Sequence, residues 1–178
     1  MKNSRPIART VGTLMLAAFL LYGIGSSIAT TASPGALLTT GAVMMLLNSV
    51  AVIAIGALML PVLRPHAPAV AVGAVALLMA SAGTNFLAYN IAMAGLGIGS
   101  LFFCVALYRS RLVPRFLSVW GFVGYASFAA GCFLELAGVA GAGLVSAVHG
   151  GLFEIFFAIW LIARGFGSTA AITVTARA

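Results

Sequence analysis

Apolar residues in this chain fall in long unbroken runs, without the strict alternation of a half-buried strand. The runs 11–29, 41–63, 116–137 and 144–163 each approach or exceed the roughly 20 residues that a helix needs to cross a hydrocarbon core. The stretch 68–108 is apolar for about twice that length. Only Ser81, Gly83, Thr84 and Asn85, and then Tyr89 and Asn90, interrupt it. Charge decides how it is divided. Short cytoplasmic loops collect Lys and Arg, and short outside loops do not. Arg64 precedes the stretch and Arg109, Arg111 and Arg115 follow it, so both groups share one side only if the chain crosses an even number of times between them. The pattern therefore predicts a hairpin of helices 68–86 and 90–108, turning near 84–90.

The expected fold is all-α: one integral membrane domain of six transmembrane helices (11–29, 41–63, 68–86, 90–108, 116–137 and 144–163). Both termini are expected on the cytoplasmic side, with 167–178 as a short tail. Trp120 and Trp160 lie a few residues from Arg115 and Arg164, where an aromatic belt is expected. The first run has a rival reading as a cleavable signal peptide, because a basic start precedes it and Ala29 to Ser33 is a small-residue stretch. The other five helices keep their orientation either way.

Composition agrees with this division. Of 178 residues 63% are hydrophobic and 6% charged, nine Lys/Arg against two acids. A soluble domain carries roughly 25% charged residues, so a water-covered globule is excluded. The excess positive charge is too scattered for a groove that tracks nucleic acid, and none is expected as a partner. Cys104 and Cys132 are isolated in apolar runs and read as small hydrophobes. No metal or cofactor motif is present. The only lysine, Lys2, offers no retinal attachment within a helix, and His66 and His149 belong to opposite faces of the membrane.

Ionisable groups inside hydrocarbon are costly and are the first functional candidates. Three qualify: Glu135, His149 and Glu154. Glu154 lies about 15 Å from the Arg164 end of its helix, near the midplane. Its neighbours at helical spacing are Ala147, Gly150, Gly151, Ala158 and Leu161, a small-residue stripe expected to face protein. Phe153, Phe156, Phe157 and Trp160, with Leu152 and Ile159, are expected to face lipid. Glu135 shares a stripe with Gly121, Gly124, Phe128 and Gly131 and is placed to meet His149 across the last turn. With no cation at its level, Glu154 is expected as a neutral acid bonded to another helix, for instance through Asn48.

Two readings of this acid remain open: packing glue between helices, and a proton or substrate site for a small apolar or protonatable compound. An enzyme is not expected. Ser100 and His149 sit on helices four and six like the dyad of rhomboid proteases. The rhomboid Gly-x-Ser-Gly is absent, however, as are its long first loop and its His–Asn pair on helix two. Gly95 and Gly99 form a Gly-x-x-x-Gly face where another helix, or a second copy, can approach. Gly-Ile-Gly-Ser recurs at Gly23 and Gly97, a short echo of the inverted repeats found in transporters.

The segment Leu107-Tyr-Arg-Ser-Arg-Leu-Val-Pro-Arg-Phe-Leu-Ser-Val-Trp-Gly121 and the segment Glu154-Ile-Phe-Phe-Ala-Ile-Trp-Leu-Ile-Ala-Arg-Gly-Phe166 resemble the bacterial membrane family known as domain of unknown function 4386. The opening Ala8, Arg9 and Gly12 also fits its Ala-Arg-x-x-Gly start. The chain departs from the family in a shorter middle and in lacking a proline before Glu154. The resemblance implies a six-helix bundle of the bacterial inner membrane and assigns no activity. Arg109, Arg111 and Arg115, held by Pro114, are expected at the level of lipid head groups, with topology their first role.

Overall fold

The computed structural model describes the backbone of residues 4–63 and 86–167, and the side chains of 5–63 and 93–167. Five helices account for nearly all of them: α1 (Ser4–Thr31), α2 (Ala36–Leu63), α3 (Phe86–Ser110), α4 (Arg115–Leu136) and α5 (Ala142–Ala163). Each is long and apolar enough to cross a membrane, and there is no strand among the described residues. The helix expected at 68–86, its hairpin turn, Arg64, His66, Lys2 and the tail beyond Gly167 lie outside the described residues. Observed helices correspond to the other five expected runs and are longer at several ends. α1 is described from Ser4 onward and takes in Pro6 near that end.

Helices suit this composition because they satisfy every backbone amide within one segment, as hydrocarbon demands. Hydroxyls follow the same rule. Thr13, Ser27, Thr30, Thr31, Thr40 and Ser49 each donate to a carbonyl four residues earlier in their own helix.

Packing runs α2–α1–α5–α4–α3, with α3 touching α2 only lightly. Glycine makes most of these approaches possible. α1 and α2 meet at Gly25 and Gly41: a Cβ on Gly25 would lie 2.9 Å from that of Met44, and one on Gly41 would lie 3.0 Å from the amide nitrogen of Ala29. α4 meets α5 where Gly124 faces the backbone of Gly150 and Gly121 admits the ring of Phe153. α3 meets α4 at Gly97, over Ala129. Gly97, between the two glycines of the Gly95/Gly99 face, is thus the contact point, and Gly99 itself is buried.

The main apolar core lies at the end of the bundle where the arginines are. Ala8 and Val11 of α1, Met59 and Leu63 of α2, and Leu107 of α3 contribute to it. So do Leu117 of α4 and Phe153, Phe157 and Leu161 of α5. Leu112 and Val113, in the short α3–α4 connection, are buried beneath it. At the opposite end α4 turns into α5 through Gly138 (φ +98°) and Gly141 (φ +79°), conformations that a side chain would strain. The turn uses the glycine-rich stretch of the sequence for that purpose.

The lipid-facing side of α5 differs from expectation. Phe153 and Phe157 are fully buried, while Leu152, Phe156 and Ile159 are exposed. Small residues opposite them, above all Gly121, leave room for rings inside the bundle. The aromatic residues therefore divide between core and lipid.

A Cβ on Gly12 would lie 2.6 Å from the Ala158 carbonyl oxygen, whereas one on Gly23 would meet nothing within 4 Å. Gly12→Ala should cost about 1–3 kcal/mol through forced separation of α1 and α5. Gly23→Ala should be neutral or gain up to about 1 kcal/mol. Thermal unfolding of the two variants in detergent checks this; equal melting temperatures would contradict the packing.

Candidate functional site

The short α4–α5 turn sets which residues stand side by side. Tyr125 is about 18 Å along α4 from that turn and Glu154 about 20 Å along α5. The two are therefore at one level, and Gly121 and Gly124 let the helices close on each other there. The Tyr125 hydroxyl donates to Oε1 of Glu154 at 2.6 Å. The phenol is buried at 6% exposure, a setting in which a tyrosine hydroxyl needs an acceptor. Its ring stands edge-on to Phe153 at 5.8 Å, and Phe153 stacks on Phe157 at 5.4 Å.

The third helix completes the cluster. Ser100 of α3, itself buried, lies close to the Tyr125 side chain. Cys104, one turn further along α3 and 1% exposed, lies within electrostatic range of both Tyr125 and Glu154. A hydroxyl, a phenol and a carboxyl from three helices thus lie together, the last two bonded, with a thiol beside them and aromatic rings around them. Such a cluster can hold a proton on the carboxyl, or pass the phenol's hydrogen bond to another acceptor if Glu154 is drawn away.

The other expected members do not join this cluster. Glu135, half-buried, accepts from the backbone N–H of Gly143 at 2.7 Å. It caps the open amides at the start of α5, where a carboxylate also meets the positive end of the helix dipole. His149 is exposed, and its side chain makes no hydrogen bond to the described residues, with Glu135 or with Ser100. Asn48 is half-buried on α2 and likewise bonds no described partner, so Glu154 finds its donor on α4 instead. Arg109 is exposed at the end of α3, Arg111 stands in the connection with φ +54°, and Arg115 opens α4 with its guanidinium 5.2 Å from the Tyr108 ring.

Tyr125 and Cys104 were not singled out by sequence reasoning as site residues. A signal for Tyr125 exists: it lies on the Gly121/Gly124/Phe128 stripe, and a phenol on a protein-facing stripe in hydrocarbon requires a partner. Among the described residues, no group of three or more His, Cys, Asp or Glu comes together to hold a metal ion.

Residues 78–165 match the family model described as Domain of unknown function (DUF4386). The matched segment includes α3, α4 and α5, and with them the Tyr125–Glu154 pair and the arginine-bearing connection between α3 and α4. Searches of curated proteins and of solved structures returned no match.

Removing the cap on α5 has a definite expected cost. Glu135→Ala leaves the Gly143 amide unmet and should destabilise the protein by roughly 1 kcal/mol, as loss of a helix N-cap does. Chemical denaturation in detergent measures it; a variant as stable as the wild type would show that the bond contributes nothing.

Proposed function

We propose that this is a multi-pass protein of the bacterial inner membrane, with six helices and both termini in the cytoplasm, that binds and moves a small protonatable or apolar compound. The Tyr125–Glu154 pair is its central group. The observation that carries the reading is the placement of a carboxyl in the middle of an apolar bundle, bonded to a phenol and, among the described residues, paired with no cation. Intramembrane acids in this position are costly and commonly mark proton or substrate pathways. Tyr125 supplies the donor that holds Glu154 when it is charged, and release of that donor accompanies protonation or substrate contact. Orientation is supported by the arginines at the starts of α1 and α4 and at the ends of α3 and α5, which the helix order brings to one end.

A second reading, an accessory membrane protein without transport, is favoured by one feature. The same bond joins α4 to α5 beside the Gly124–Gly150 contact, so it can serve as packing alone. Substitution by an amide separates the two. Glutamine keeps a carbonyl acceptor for Tyr125 and loses only the titrating proton. In proteoliposomes with an imposed proton gradient, Glu154→Gln should retain wild-type melting behaviour and lose proton-coupled uptake at least tenfold. Wild-type protein that takes up none of a panel of weak acids, weak bases and apolar compounds would leave the accessory reading standing.

A further inference from the structure

Away from the Tyr125–Glu154 pair, the arginine-bearing end of the bundle carries a built cleft. Its volume is about 590 Å³, and its walls include Arg111, Arg115 and Arg164 with the ring of Trp160. A smaller recess of about 70 Å³ adjoins it across Arg164 and Gly165, and adds Arg5 and Arg9 of α1. The floor is firm. Leu112, Val113 and Phe166 are buried, and the N–H of Gly167 donates to the Leu112 carbonyl at 2.7 Å, clasping the segment after α5 onto the α3–α4 connection. Gly165, at φ +71°, makes the bend that brings Arg164 and Phe166 to their places.

Charge in this cleft is unbalanced. Three guanidinium groups border it and two more border the adjoining recess, and among the described residues none forms an ion pair with a carboxylate. Neither glutamate reaches it. Glu135 is about 30 Å along α4 from Arg115, and Glu154 about 15 Å along α5 from Arg164. Two of the guanidinium groups are held by rings instead: Arg115 over Tyr108 at 5.2 Å and Arg164 over Trp160 at 5.6 Å. Held planar forks suit bidentate bonds to phosphate oxygens. Trp160 places the cleft at the bilayer interface, and the exposed Phe116 and Phe156 beside it offer apolar surface of the kind that lipid chains cover.

We propose that this cleft is a binding site for the phosphate head group of an anionic phospholipid, with Arg111, Arg115 and Arg164 as the phosphate-binding groups and Arg5 and Arg9 as a second rank. Charge in the cleft serves more than topology: a positive-inside signal needs no shared pocket, and Arg109, equally placed in sequence, lies outside it. The site is independent of the transport reading.

The test uses full-length protein in a neutral detergent, titrated with phosphatidylglycerol, phosphatidylcholine or glycerol phosphate, with retained ligand counted by native mass spectrometry. Wild type should retain phosphatidylglycerol in preference to phosphatidylcholine by at least tenfold, and retain no glycerol phosphate at the same concentration. Arg111→Gln with Arg164→Gln should weaken phosphatidylglycerol about thirtyfold, at about fivefold per arginine. Arg109→Gln should leave it within twofold. Equal retention of the two lipids by wild type overturns the proposal, a result that does not depend on whether the double variant folds. So does equal loss in Arg109→Gln, which would mark a general surface attraction, and equal retention of glycerol phosphate, which would mark a site for a free phosphate.

Discussion

A polar group placed in hydrocarbon has to find its partner inside the protein, and this chain has only two acids to place. Each is met by a donor on the neighbouring helix of the same hairpin. Glu135 takes a backbone amide at the start of α5, and Glu154 takes the phenol of Tyr125. One acid thus belongs to the turn and the other to the middle of the bundle. Glycine makes both possible. Gly138 and Gly141 allow the tight reversal, and Gly121 and Gly124 let α4 and α5 approach closely enough for the carboxyl and phenol to touch.

The two ends of the molecule consequently differ in kind. At the turn end the helices meet through small residues and a capped helix start. At the arginine end, rings and leucines fill a core onto which the α3–α4 connection and the segment after α5 are fastened. The Tyr125–Glu154 pair sits where these regimes join, with Phe153 packed against the Tyr125 ring and Cys104 beside the pair on the α3 side. Movement of α3 relative to α4 and α5 would be felt first at Ser100 and Cys104.

Much of the helix plan was legible in the sequence, because a run of about 20 apolar residues has few alternatives. Glu154 stood out for the same reason, and the stripe of Gly150, Ala158 and Leu161 correctly marked a protein-facing side. Partners were harder to read. Distance along a helix gives depth and leaves rotation open, so His149 matched Glu135 roughly in level and yet points outward. Asn48 was chosen for its chemistry, but α2 packs on α1, away from the α4–α5 seam. Phe153 and Phe157 were assigned to lipid by size, whereas the pocket that Gly121 opens draws Phe153 inward and Phe157 stacks behind it. Nothing in a pattern of apolar residues reports such a hole; only the facing helix does. The sequence puts Arg109, Arg111 and Arg115 at the level of lipid head groups, but not the cleft itself, since residues 5 to 9, 111 to 115 and 164 are brought together by packing alone.

The account turns on whether Tyr125 and Glu154 are energetically coupled. A double-mutant cycle with Tyr125→Phe, Glu154→Leu (which removes the acceptor) and the pair, each unfolded reversibly in the same detergent, measures that coupling without reference to any substrate. Hydrogen bonds between membrane helices average roughly 0.6 kcal/mol and reach about 1.7 kcal/mol. A short, half-buried bond to a carboxyl should fall in the upper part of that range, about 1 kcal/mol or more. Strictly additive single and double variants, with no coupling beyond error, would contradict the account.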